Sequence, residues 1–189
     1  MNYTCLLRLL VLLSLSILPS QFTCAQKLRE AEKLELGGLK RFYKLNDSVF
    51  RAEQPTKKEF IEMESMGIKS VINFRRNRKD DKKASNTDLQ LIHQPLKAKE
   101  MTVDDLIDSL RNIQGAEKPI LIHCWHGSDR TGVVVAAYRI IFEDWTKKEA
   151  IEEFRKKEFG YHENWFPNLE DMLEDLNVPF VKKELGLLD

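Results

Sequence analysis

The sequence predicts an α/β protein built on a central sheet of four or five mostly parallel strands, with helices on both faces. Three observations lead there. Short apolar runs at 68–74, 89–93 and 119–122 are too brief for helices and read as buried strands. Helical stretches opened by capping boxes alternate with them. A single glycine, Gly67, separates one helix from the next strand, as a short crossover connection requires. With 189 residues, 42% hydrophobic and 32% charged, the chain holds enough apolar material for one compact domain, expected over 41–189.

Residues 1–25 differ in composition from the rest. They carry one charge, Arg8, and an apolar core from Leu9 to Leu18. Ten residues are too few to span a bilayer but suit a secretory signal. Thr23, Cys24 and Ala25 supply small residues for cleavage before Gln26; a lipoprotein anchor through Cys24 is a lesser alternative. Removal of this leader takes away Cys5 and Cys24 and leaves Cys124 as the single cysteine. A lone thiol cannot close an internal disulfide, so in an oxidising compartment it is better explained as a nucleophile. The expected location is outside the cytoplasm, periplasmic or secreted, with no stable membrane insertion after cleavage. Lys+Arg and Asp+Glu balance at 30 each, so no polybasic character points to nucleic acid.

Residues 26–40 are charged and read as an arm or loose helix ending at Gly37 and Gly38. Residues 41–45 and 49–51, separated by Asn46, Asp47 and Ser48, suggest a small edge hairpin. Thr56 and Glu59 form a capping box that opens a helix with Phe60, Met63 and Met66 turned inward. After the strand at 68–74, the run 75–83 is rich in Arg and Lys. It is a solvated loop or a basic rim that steers a multiply anionic substrate, with Arg75 as its first contributor or as a brace between loops. The strand 89–93 ends at His93, which could bear on the chemistry but whose position at a strand end suits a structural role.

A second box, Thr102 with Asp105, opens a helix to about Ile113 that presents Val103, Leu106, Ile107, Leu110 and Ile113 to the core. A third, Thr146 with Glu149, opens a helix to about Glu158, with Ala150, Ile151 and Phe154 on its apolar face. Tyr161, Trp165, Phe166 and Pro167 form an aromatic connection to a last helix with Leu169, Met172, Leu173 and Leu176.

The chemistry gathers between the strand 119–122 and an apolar helix over 133–142. The strand stops at His123 and Cys124, and seven small or polar residues lead to Gly132. Strand, tight loop and helix start make an oxyanion cup. Backbone N–H groups of Trp125, His126, Gly127, Ser128, Asp129 and Arg130 converge on one point, and the helix start adds partial positive charge. Arg130 grips two oxygens with its planar fork. A free thiol with a pKa of about 8.5 is mostly protonated at neutral pH, but a helix N-terminus and a cation lower that value. Cys124 is thus expected to attack phosphorus in line and form a phosphocysteine, which water then hydrolyses. Thr131 is placed to hydrogen-bond the sulfur, and His123 to orient the loop from below.

The run from His123-Cys124 through Arg130, Thr131 and Gly132 resembles the signature of cysteine-dependent protein tyrosine and dual-specificity phosphatases. The resemblance extends to 49–55 and 67–75, in the order seen in atypical dual-specificity phosphatases of bacteria, plants and fungi. It covers roughly residues 42–160. It implies metal-independent hydrolysis of phosphate monoesters without a cofactor, on a phosphorylated protein or a small phosphorylated substrate.

Related phosphatases protonate the leaving oxygen with an aspartate, and two placements compete here. An acid on a separate loop about thirty residues before the cysteine would be Glu100, Asp104 or Asp105. The two aspartates also fit a first helical turn, where capping and the helix dipole favour them, and the loop between Pro95 and Met101 holds no Asp. Asp129, inside the phosphate loop, resembles instead the Cys-x4-Asp-Arg-Thr arrangement of myotubularin-type and Sac-type phosphoinositide phosphatases. A carboxyl beside a bound phosphate dianion is expected to hold its proton more tightly. Asp129 could equally cap the helix or tie down Arg130. The substrate classes expected are phosphotyrosine or dual-specificity phosphoproteins first, and inositol phosphates or phosphoinositides as the alternative. Phosphate binding without turnover and sulfur transfer fit the motif less well.

Overall fold

The strand that delivers Cys124 is enclosed on both sides by parallel neighbours. The computed structural model describes residues 30–189, so the expected leader at 1–25 lies outside the described residues. Its strands are β1 (Glu32–Lys33), β2 (Tyr43–Lys44), β3 (Val49–Ala52), β4 (Ser70–Asn73), β5 (Gln90–His93) and β6 (Ile120–His123). They form one sheet in the order β1-β2-β3-β6-β4-β5. The pairs β3–β6, β6–β4 and β4–β5 are parallel, and β1–β2 and β2–β3 are antiparallel. The parallel part is as expected. The difference lies at the N-terminal end, where part of the segment read as an arm or loose helix adds the short strand β1. The hairpin read as an edge also runs inward, since β3 pairs directly with β6.

The six α-helices among the described residues are α1 (Lys57–Ser65), α2 (Val103–Gly115), α3 (Asp129–Phe142), α4 (Lys147–Phe154), α5 (Asn168–Glu174) and α6 (Val178–Glu184). Both sheet faces are covered, which is why β6 is apolar without alternation. Ile120 and Ile122 enter the larger core with residues of α2, α3, α4, α5 and α6. Leu121 points the other way, into a smaller core with Phe60 and Met63 of α1 and with Phe42 and Val71.

All three capping boxes form, at Thr56–Glu59, Thr102–Asp105 and Thr146–Glu149. Three expectations need correction. Met66 is the C-terminal cap of α1 and is half exposed, because the chain already turns there toward Gly67. α4 stops at Phe154 rather than near Glu158, and a 3-10 turn follows at Lys157–Phe159. The helix expected to carry Leu169 to Leu176 is not the last: it ends as α5 at Glu174, and α6 follows, capped by Asn177 through the Phe180 N–H and with a proline in its first turn.

Candidate active site

β6 ends at His123, and α3 begins at Asp129, so the turn between them spans only 124–128. Gly127 makes this turn possible. Its φ is +68°, and a Cβ there would lie 2.4 Å from the Ala52 carbonyl oxygen at the end of β3.

The loop's carbonyls are tied outward one after another. The Trp125 oxygen accepts from the Gln54 N–H at 3.1 Å, the His126 oxygen from Arg41 Nη1 at 2.9 Å, and the Gly127 oxygen from Arg51 Nη2 at 2.6 Å. In a trans peptide the N–H points opposite to the C=O. Fixing these carbonyls outward therefore turns the N–H groups of 126–128 to the inner side of the loop. The N-terminus of α3 adds its partial charge from the next residues. Cys124, 2% exposed, sits at the base of this cup and is the free cysteine of the described residues.

Arg130 is half-buried, and its Nη1 donates to the Phe74 carbonyl just beyond β4 at 3.2 Å. The fork is thereby held against the sheet's C-terminal edge, beside the cup. Thr131 is fully buried and its Oγ1 makes no hydrogen bond, so the expected contact with the Cys124 sulfur is not formed here. Ser128 is buried and precedes α3 without a side-chain cap bond. Trp125 and His126 are exposed on the rim. Burial, followed by the nearby His162 and Arg41, pushes the His126 imidazole below its ordinary value.

Beneath the loop, His123, expected to orient it, has a partner that was not foreseen. Its Nδ1 lies 3.0 Å from the Cys124 carbonyl oxygen and its Nε2 lies 2.9 Å from Asp80 Oδ2. Asp80 also accepts from Gln54 Nε2 at 2.8 Å. Burial alone would raise the Asp80 carboxyl, but the hydrogen bonds and charge of His123, with the amide of Gln54, hold it below the usual carboxylate range.

Arg75 braces loops. Its Nη1 donates to Gln54 Oε1, its guanidinium lies 4.3 Å over the Trp125 ring, and its carbonyl meets His93 Nε2 at 2.7 Å. The basic run 75–83 does not form a uniform rim: Asp80 turns inward and Lys83 donates to the Pro55 carbonyl. Arg76 alone of this run lines the pocket beside the loop, with Lys97, Lys99, Glu100, Asp129 and Arg130.

The acid candidates now separate. The Lys97 ammonium, 2.6 Å from Glu100, holds that exposed carboxyl below its ordinary value, which suits an ion pair better than a proton donor. Asp105 is occupied by the Thr102 capping box, and Asp104 is exposed in the same first turn. Asp129 is 8% exposed and lines the same pocket as Arg130. It neither caps α3, whose N-cap is Ser128, nor bonds to Arg130. Its partner is His162: the backbone N–H donates to Oδ1 at 2.9 Å, and Nδ1 lies 3.1 and 3.0 Å from Oδ1 and Oδ2.

Five residues of this site escaped sequence reasoning: Arg41, Arg51, Gln54, Asp80 and His162. Arg51 carried a usable signal, being a charge in an otherwise apolar strand. It is 1% exposed and lies 4.3 Å from the Phe159 ring centre, and burial pulls its guanidinium down to about 10. Among the described residues, no group of three or more His, Cys, Asp or Glu side chains is placed to hold a metal ion.

Comparison with known proteins places this geometry in a family. The model of the dual specificity phosphatase catalytic domain matches residues 49–173. The dual specificity protein phosphatase TpbA of Pseudomonas aeruginosa is 30% identical over 122 residues, covering 62% of this chain and 55% of the relative. The chain thus matches about half the length of that curated relative. The crystal structure of P. aeruginosa TpbA superposes with a TM-score of 0.76 at 22% identity, over 85% of this chain and 98% of that one. A cysteine-to-serine variant of TpbA in complex with pTyr gives 0.75 over the same shares. The catalytic core of the PP-IP phosphatase Siw14 from S. cerevisiae gives 0.63 at 18% identity, over 79% and 95%. With its family match spanning β3 to β6, the loop after β6 and α1 to α4, the chain belongs to the dual specificity phosphatase catalytic-domain family.

Proposed function

We propose that the chain hydrolyses phosphate monoesters through a phosphocysteine on Cys124, as a tyrosine or dual-specificity phosphatase. The observation that carries this reading is the set of outward-tied carbonyls at Trp125, His126 and Gly127, which aims amide hydrogens into a cup above a buried cysteine. Such preorganised donors stabilise the charge on a phosphoryl group in flight. The Sγ–P bond forms as the P–O ester bond breaks, and the bonding pair departs on the ester oxygen. The Asp129 carboxyl gives that oxygen a proton. Water then attacks phosphorus, losing a proton to Asp129, and the P–S bond breaks with its pair returning to sulfur. Arg130, released from the Phe74 carbonyl, clasps two phosphoryl oxygens. The hydroxyl of Thr131, buried and unpartnered, is available to the departing thiolate.

Membership of the family and likeness to a protein solved with phosphotyrosine support a phosphotyrosyl substrate. A second reading has its own observation. Arg76, Lys97 and Lys99 surround the pocket that Arg130 and Asp129 share, which suits a substrate with a second phosphate, such as an inositol phosphate. The leader at 1–25 supports export to the periplasm or beyond, to be checked by the N-terminal residue of the protein recovered from a cell envelope fraction.

Purified protein assayed on p-nitrophenyl phosphate, phosphotyrosyl peptides and inositol phosphates tests the assignment. Turnover of p-nitrophenyl phosphate is expected in the wild type and none in Cys124→Ser. Activity that survives this substitution would remove the covalent mechanism. Dominant turnover of inositol phosphates would replace the first substrate reading with the second.

A further inference from the structure

We infer that His162 is a positioning residue for the reaction: it fixes the Asp129 carboxyl as the proton donor to the leaving oxygen. The inference rests on the proposed role of Asp129 and adds a residue outside the phosphate-loop signature. Asp129 Oδ1 receives two contacts from residue 162, from the backbone N–H at 2.9 Å and from Nδ1 at 3.1 Å, whereas Oδ2 receives Nδ1 alone at 3.0 Å. The backbone N–H, which can only donate, holds Oδ1, and Nδ1, within 3.1 Å of both oxygens, sets the plane of the carboxyl, so that the acid's proton falls on Oδ2. A carboxyl without this grip would turn freely about its last torsion, which has a broad, nearly two-fold profile.

The grip is itself rigid. The 160–166 segment folds on its own bonds: the Trp165 and Phe166 N–H groups both donate to the His162 carbonyl, and Tyr161 Oη donates to the Phe166 carbonyl at 2.8 Å. Burial, followed by the charge of Glu170, pushes the Tyr161 phenol up to about 12, so it remains a donor. The imidazole of His162 is stacked on Trp165, with ring centres 5.2 Å apart and planes 13° from parallel. Gly160 lets this segment approach the phosphate loop. Its φ is +69°, and a Cβ there would stand 3.0 Å from Ser128 Oγ. The other ring facing His162 is His126, 5.9 Å away.

Because His162 meets Asp129 and no reacting atom, its loss is expected to act selectively. Protonation of the leaving oxygen matters for phenyl phosphate and much less for p-nitrophenyl phosphate, whose anion leaves unaided. In the full chain, His162→Phe should lower kcat/KM on phenyl phosphate by about tenfold or more, with less than about threefold loss on p-nitrophenyl phosphate. His162→Asn, whose amide nitrogen falls near the place of Nδ1, should restore most of the loss. His162→Gln, whose nitrogen falls near Nε2, should not, and it keeps the inference testable if phenylalanine is poorly accommodated. Equal losses on both substrates, or no loss in either variant, would overturn the role of His162. Asp129→Asn measured beside them separates the two claims. Selective loss there with none in the His162 variants overturns only the positioning role, and equal loss on both substrates in Asp129→Asn overturns the Asp129 assignment itself.

Discussion

His123 Nε2 lies 2.9 Å from Asp80 Oδ2, and both side chains are almost wholly buried. The other ring nitrogen faces the Cys124 carbonyl at 3.0 Å. A carbonyl oxygen accepts only, and Asp80 is held ionised by its neighbours. The ring thus reaches from the backbone of the loop on one side to the Asp80 carboxylate on the other. The pair anchors the base of the phosphate loop to the loop after β4.

Asp80→Asn should destabilise the fold by about 1–3 kcal/mol, the range for a buried hydrogen-bonding partner weakened or lost. Asp80 has a folded-state value below its unfolded one of roughly 3.9, so its stabilisation is fully present above that pH and is lost as pH falls through the lower folded value. Urea denaturation between pH 3 and pH 7 checks the sign. The wild type should lose more stability than the variant on going below about pH 4, and parallel curves would count against the pairing.

Gly127→Ala should abolish the cup while leaving most of the domain folded. The left-handed backbone at +68° costs a residue with a Cβ roughly 1–2 kcal/mol, and the added atom would meet the Ala52 carbonyl oxygen at 2.4 Å. The loop has to shift, and the N–H groups lose their common focus. The expected result is at least a hundredfold fall in kcat/KM on p-nitrophenyl phosphate, in line with loss of an oxyanion donor at about 10²–10³. The melting curve should stay cooperative.

What could be read in the sequence follows from how far apart the partners lie along the chain. Cys124, Arg130 and Thr131 share one loop and helix start, so their relation is carried by local spacing. The capping boxes at Thr56, Thr102 and Thr146 are equally local, each closing over three residues. The groups that hold the phosphate loop come from elsewhere: Asp80 is 43 residues from His123, Arg51 is 76 from Gly127, and Arg41 is 85 from His126. No periodicity links such pairs. Asp80 was further obscured by its basic surroundings, where an inward-turned acid looks like one more solvated charge. β1 and β2 have two residues each, too few to show alternation.

Glu153→Ala should be among the most destabilising single changes outside the site. Arg139 of α3 is fully buried, and Glu153 of α4 grips its Nε and Nη2 at 3.1 and 3.0 Å. Glu143, the Leu45 carbonyl and the Trp145 ring complete its surroundings. Removing Glu153 strips a buried cation of its bidentate partner but leaves it Glu143, for an expected loss of about 3 kcal/mol, the low end for breaking a buried ion pair. Glu153→Gln keeps one acceptor and should lose less. KM should be unchanged in whatever fraction remains folded, and a denaturation series with active-site titration checks both statements.

Trp125→Ala tests whether the rim reads the group attached to phosphate. The ring is 51% exposed, directly follows Cys124, and is held flat by the Arg75 guanidinium 4.3 Å from its centre. A cation stacked on an exposed aromatic contributes about 0.5–1 kcal/mol, enough to fix the ring but not the fold. A ring so held offers a wall to a planar substrate in ground state and transition state alike. Its removal should therefore raise KM and leave kcat nearly unchanged. On phosphotyrosyl peptides the expected rise is about fivefold, equivalent to roughly 1 kcal/mol of lost aromatic contact. On β-glycerophosphate, which has no ring, KM should move less than about twofold, and Trp125→Phe should keep most of the wild-type value. A fall in kcat on both substrates would instead assign Trp125 to support of the phosphate loop, through the bond between its carbonyl and the Gln54 N–H.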